Sequence, residues 1–132
     1  MGEAGVWAVL TAGWCPYCTD WIQALIPREQ ALEAEGISVT YILGEDPSTL
    51  PPTLAYCRRY AAHYAGAQLS RFFIDNDGAR GWAETLRHFT PDVGLSFPMN
   101  LMVKTSNMHF VFSAGIQDGR EMDTGLAAVR AD

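Results

Sequence analysis

The strongest constraint on how this chain can fold lies between residues 6 and 25. The run VWAVLT, Val6 to Thr11, is short, apolar and rich in β-formers, and it is bounded by Gly5 and Gly13. It predicts a buried strand. Immediately after it come Cys15 and Cys18, spaced C-P-Y-C, and then DWIQALIPREQALEAEG. That segment carries Trp21, Leu25, Ala31 and Leu32 at helical spacing and meets a stop signal at Gly36. Pro27 lacks a backbone donor and crowds the preceding turn, so it is expected to kink or divide the helix.

ISVTYIL, Ile37 to Leu43, predicts a second strand, followed by the acidic, proline-rich loop GEDPSTLPP. A second helix is expected to start near Pro52, a residue suited to the first helical position, and to bury Leu54, Cys57, Ala61 and Tyr64 on one face. LSRFFI reads as a third strand, DNDG as a turn, and WAETLRHF as a short helix before an irregular stretch marked by Asp92, Gly94 and Pro98. MNLMVK and MHFVFSA flank TSN as a hairpin, and REMDTGLAAVRA closes the chain as a helix weakened by Gly125. The order β-α-β-α-β-α-β-β-α indicates an α/β sandwich whose last two strands are antiparallel.

At 132 residues the chain is expected to be one domain with a substantial core, and 48% apolar residues fit a globular protein. A net charge of −6, with basic residues scattered apart from Arg58-Arg59, argues against nucleic-acid binding. No apolar run is long enough to cross a bilayer. The start MGEAGVWAVL carries no basic n-region and no cleavage site, so no signal peptide is read there; a trimmed N-terminus is expected. A monomer is expected.

Cys15 falls where a strand gives way to a helix. Its thiolate would face unpaired backbone N–H groups and the positive end of the helix dipole, which lowers a thiol's pKa. Pro16 presets the first helical φ angle without wasting a donor. Cys18 follows one turn later, within reach of a mixed disulfide formed at Cys15. Cys15 is therefore the expected nucleophile and Cys18 the resolving thiol. The competing uses are weaker. A zinc site needs four ligands, and Cys57, His63, His88 and His109 stand at no ligand-like spacing. A structural disulfide closing so small a loop would stabilise little.

The stretch WAVLTAGWCPYC resembles the strand and active-site turn of thioredoxin-like proteins, including the Trp immediately before the first cysteine. FPMNLMVKTSNMHFVFSAG resembles their proline loop and closing hairpin. The resemblance implies a three-layer α/β/α sandwich with a mixed sheet and a cis bond at Phe97–Pro98, where Pro98 packs beside the cysteines and its loop offers backbone to a substrate segment. Some fifty residues, Gly44 to Phe97, precede that loop, and TLAYCRRYAAHYAG…LSRFFIDNDG resembles the helix–strand insertion of bacterial TlpA/ResA-type thiol–disulfide oxidoreductases. That group is typically exported, tethered or periplasmic and commonly reduces disulfides in partner proteins. The resemblance thus implies a protein disulfide as substrate, an upstream reductase as partner and no dissociable cofactor. Trp14, Pro16, Tyr17 and Phe97 are the candidate substrate-binding residues; Trp14 and Phe97 read equally well as packing.

Three departures from the family pattern stand out. The Pro-Tyr dipeptide is shared with glutaredoxins, so a glutathione-dependent enzyme is one alternative. Val9 stands where many thioredoxins keep a buried acid, and Trp21 stands where some ResA-like proteins keep another. A second alternative is a non-enzymatic thiol-based copper module. Met99, Met102, Met108 and Met122 with His109 invite that reading, but Met99 and Met102 stand three apart in a strand, on opposite faces, and read as core filler. Cys57 reads as a buried helix-face residue rather than a third redox thiol. Asp75, Asp77, Gly78 and Glu84 match part of a calcium loop, but Phe73 occupies the first ligand position, so a solvated turn is expected.

Overall fold

The computed structural model describes residues 4–74, 99–104, 109–114, 126–127 and 129–130; of residues 99 and 109–114 only the backbone is described. Strand β1 (Gly5–Ala12) is central in a five-stranded sheet of order β3-β2-β1-β4-β5. β2 (Ile37–Glu45) runs parallel to it, with Trp7 opposite Val39 and Val9 opposite Tyr41. β3 (Phe72–Ile74) extends the parallel side, pairing Tyr41 with Phe72. On the other side β4 (Met99–Lys104) is antiparallel to β1 and β5 (His109–Ala114) antiparallel to β4. This is the α/β class with the mixed sheet and closing hairpin that the element order implies.

The parallel pairs require crossovers, and helices supply them. Helix α1 (Pro16–Leu25) passes through a 3-10 turn at Ile26–Arg28 into α2 (Glu29–Ala34), so Pro27 does divide the helix. The buried positions Cys18, Ile22, Leu25, Glu29 and Leu32 continue as one stripe through the break. Of these, Ile22, Leu25 and Leu32 pack with Trp7, Val9, Val39, Tyr41 and Leu43, which alternate along β1 and β2 and so share one face of the sheet. Gly36, at φ 86°, turns the chain out of α2, and its carbonyl accepts from the Ala4 and Gly5 amides at 2.7 and 3.2 Å, aligning the start of β1 beside β2.

Glu29 occupies an apolar position of the stripe and is 2% exposed. Its Oε2 accepts from the Tyr41 hydroxyl at 2.6 Å, and its Oε1 lies 3.5 Å from Nε of Arg71. Arg71 also reaches Glu33 at 2.5 Å and donates to the Val39 carbonyl at 3.2 Å. A carboxylate is tolerated at this depth because it is paired and hydrogen-bonded.

Two expectations change. Helix α3 (Leu54–Ala62) begins two residues after Pro52, because Thr53 caps it: its hydroxyl accepts from the Tyr56 amide at 3.1 Å. The first helical position is thus Leu54, which is exposed, while Cys57, Ala61 and Tyr64 are buried as expected. The third strand is also shorter than LSRFFI, since Leu69–Arg71 form a 3-10 turn anchored by the inward-facing Arg71. The DNDG turn, the part of the calcium-loop pattern beyond Phe73, the WAETLRHF helix and Pro98 lie outside the described residues. Phe73 itself is in β3. Of the terminal helix, residues 126–127 and 129–130 are helical, and Leu126 and Val129 join the core.

Candidate active site

β1 ends at Ala12, and Gly13 and Trp14 turn the chain into α1. Two backbone bonds fix the turn: the Gly13 amide donates to the Glu45 carbonyl at 2.9 Å, and the Cys15 amide to the Ala12 carbonyl at 3.2 Å. Cys15 is the N-cap of α1, extended at φ −95° and ψ 106°, with Pro16 in the first helical turn. Its Sγ accepts from the Cys18 amide at 3.1 Å, a cap contact in which sulfur takes the place usually held by oxygen. Cys15 and Cys18 are joined as a disulfide, their Cα atoms 5.3 Å apart. With Ala12 they form a small buried cluster; Cys15 keeps 3% of its surface and Cys18 none.

The motif's aromatic residues divide. Tyr17 is 67% exposed and Pro16 is exposed beside it, so both stand open to a partner. Trp14 is 44% exposed, with its indole N–H donated to Glu45 Oε1 at 3.1 Å, which holds the ring at the rim of the site. Phe97 and Pro98, the other two candidate residues, lie outside the described residues. So do the side chains of Met99, Met108, Met122 and His109; Met102 is fully buried, as core filler should be. Among the described residues no three of His, Cys, Asp or Glu gather as a metal site.

Trp21 and Val9, the positions that depart from the family pattern, meet at a residue the sequence reading passed over. Val9 is opposite Asn100 in the β1–β4 register. The Asn100 side-chain oxygen accepts from the Trp21 indole at 2.8 Å and from the Trp7 indole at 3.0 Å. Asn100 is wholly buried, and the two indoles lie 6.4 Å apart. A neutral amide thus ties α1, the helix that carries Cys18, to β4. The available signal was an asparagine inside the apolar run MNLMVK, since a buried amide requires partners.

A row of tyrosines on α3 and the turn that follows it was also missed. Tyr56, Tyr60 and Tyr64 are spaced i, i+4, i+8, with successive rings 6.1 and 5.3 Å apart. The Tyr60 hydroxyl shares a 2.6 Å hydrogen bond with Thr11, and the Tyr64 hydroxyl donates to Thr19 at 3.4 Å. The Tyr56 hydroxyl lies against Gly13, where any Cβ would collide with it and would also approach Pro47 Cδ to 3.0 Å. α3 and the turn after it therefore brace both ends of the cysteine motif. Burial pushes the Tyr60 hydroxyl far above its ordinary pKa, and burial followed by the field of Asp46 raises that of Tyr56. Cys57 lies deeper on α3, its thiol pKa raised by burial, at a 310 Å³ cavity that Leu54, Leu69 and Phe72 also line. It is the buried helix-face residue expected.

No protein-family model matches the sequence, and no curated protein matches it. Solved structures do. A putative thiol:disulfide interchange protein DsbE from Chlorobium tepidum superposes with a TM-score of 0.68 at 15% identity, over 97% of this chain and 81% of that one. The pneumococcal exposed lipoprotein thioredoxin Etrx1 of Streptococcus pneumoniae gives 0.63 at 13% identity, over 96% and 84%. A thioredoxin-like protein from Aeropyrum pernix gives 0.63 at 19% identity, over 97% and 79%. The chain has the thioredoxin-like fold.

Proposed function

We propose that the protein is a thiol–disulfide oxidoreductase acting on disulfides in protein substrates, with Cys15 as nucleophile and Cys18 as resolving thiol. The observation that carries the reading is a disulfide-paired C-P-Y-C at the start of α1 on a thioredoxin-like fold, with Cys15 as the helix N-cap. In the reduced form, the Cys15 thiolate at that position is stabilised by the Cys18 amide and the helix dipole. It attacks one sulfur of the substrate disulfide; the Cys15–substrate bond forms as the substrate S–S bond breaks, and the released thiolate takes up a proton. The Cys18 thiolate then attacks Cys15 Sγ, closing the Cys15–Cys18 disulfide and releasing the second substrate thiol. Two electrons and two protons pass to the substrate, and an upstream dithiol reductase restores the pair.

Exposed Pro16 and Tyr17, with the tethered Trp14, form the described part of the surface that meets the substrate. Phe97 and Pro98 complete it in this reading, Pro98 presenting backbone to the bound segment. The thiol:disulfide interchange names among the structural neighbours support disulfide exchange, and the resemblance to TlpA/ResA-type proteins makes reduction the proposed direction. The test is reduction of insulin by the protein with a dithiol donor. Turnover that disappears in Cys15→Ser supports the reading, whereas turnover retained in Cys15→Ser overturns it. Glutathione-dependent turnover that survives Cys18→Ser would instead identify a glutaredoxin-like enzyme.

A further inference from the structure

A second cavity of 310 Å³ opens beside the cysteine motif. Gly13 and Thr19 form one wall, and Tyr56, Arg59 and Tyr60 of α3, with His63 and Tyr64 just beyond its end, form the other. Gly13 stands two residues before Cys15 and Thr19 directly follows Cys18, so an occupant of this groove lies against the motif's flank. The far wall is held in place: the Tyr64 hydroxyl is bonded to Thr19, and the buried Tyr60 behind it to Thr11.

The charge of the groove runs against that of the chain. The protein carries −6 overall, yet the groove's charged side chain is the exposed Arg59, whose guanidinium lies 5.7 Å from the centre of the Tyr56 ring. Arg59 and His63 make no ion pair among the described residues. The nearby carboxylate, Asp46, accepts from the amides of Ser48 and Leu50 at 2.8 and 3.0 Å. An arginine stacked on an aromatic face and open to solvent matches a carboxylate presented from outside. An acidic protein repels acidic partners at long range, so a local cationic groove at the active site selects among them by position.

We propose that this groove holds an acidic side chain of the substrate polypeptide, placed within a few residues of the disulfide that Cys15 attacks, with Arg59 pairing the carboxylate and the tyrosine wall packing its stem. The proposal rests on the oxidoreductase reading above and assigns its substrate class: disulfides flanked by Asp or Glu.

The probe is a set of disulfide-cyclised peptides, identical except for Asp, Asn or Lys beside the cystine, reduced by the protein with a common dithiol donor. The expected result is a preference of about three- to fivefold in kcat/KM for Asp over Asn, carried by KM, with Lys the poorest. The preference falls to about one in Arg59→Gln and in about 0.5 M salt. It persists in Arg130→Gln, whose side chain pairs with Glu35 at 2.6 Å near the opposite end of β1. Equal rates on the three peptides, or an Asp preference retained in Arg59→Gln, overturn the groove while leaving the oxidoreductase reading standing. Absence of turnover on every peptide overturns both.

Discussion

Replacing Asn100 with alanine removes the one oxygen on which two indole N–H groups converge. The consequences for the two donors differ. Trp7 is wholly buried, so its N–H loses a partner where water does not replace it, at about 1–3 kcal/mol. Trp21 is half-buried, so its N–H can turn to solvent and only the net value of one hydrogen bond is lost, about 0.5–1.5 kcal/mol. Together these give a destabilisation of about 1.5–4.5 kcal/mol. Urea denaturation of the oxidised protein reads it as a lower midpoint at unchanged slope. Trp21→Phe alone should cost less, and the cycle built from Asn100→Ala and Trp21→Phe should return a coupling of about 0.5–1.5 kcal/mol. An Asn100→Ala loss under about 0.5 kcal/mol, or a coupling near zero, would refute the claim that this amide locks α1 to β4.

Two further outcomes follow from the packing around the motif. Gly13→Ala brings a methyl group onto the Tyr56 hydroxyl and Pro47, and should destabilise by about 1–3 kcal/mol; adding Tyr56→Phe should recover part of that loss in the same denaturation assay. Burial raises the pKa of Cys57 above 9.0 and, far more, those of Tyr41 and Tyr60 above 10.0. Folding therefore favours their protonated forms, the unfolded chain holds fewer protons at high pH, and the stability they contribute is present below these ordinary values and lost as pH rises above them. Unfolding free energy measured between about pH 8 and pH 11 should fall, and the fall should be shallower in Tyr41→Phe.

The alternation of strands and helices was legible because each element carries its period: VWAVLT and ISVTYIL as buried strands, and Trp21, Leu25, Ala31 and Leu32 at helical spacing, of which Leu25 and Leu32 are buried while Trp21 is half-buried and Ala31 exposed. Pro27 was legible because the absence of a donor is local chemistry. The start of α3 was misplaced because a proline's φ preference was weighed above the capping hydroxyl of Thr53. What could not be read was polarity satisfied at long range. Glu29 looks like a surface acid until Tyr41 and Arg71 are brought to it, and Asn100 looks like an interruption until Trp7 and Trp21 arrive from elsewhere in the chain. The tyrosine row escaped for a related reason, since its hydroxyls act on Thr11, Gly13 and Thr19, residues of another segment.

The division of labour between the two cysteines is tested most directly by trapping. Cys18→Ser removes the resolving thiol, so attack by Cys15 should stop at a mixed disulfide with an insulin chain, stable to gel analysis without reductant. Peptide mapping should place the bond at Cys15, with the buried Cys57 unmodified. A mixed disulfide that accumulates on Cys57, or one that forms through Cys18 in Cys15→Ser and not through Cys15 in Cys18→Ser, would contradict the account.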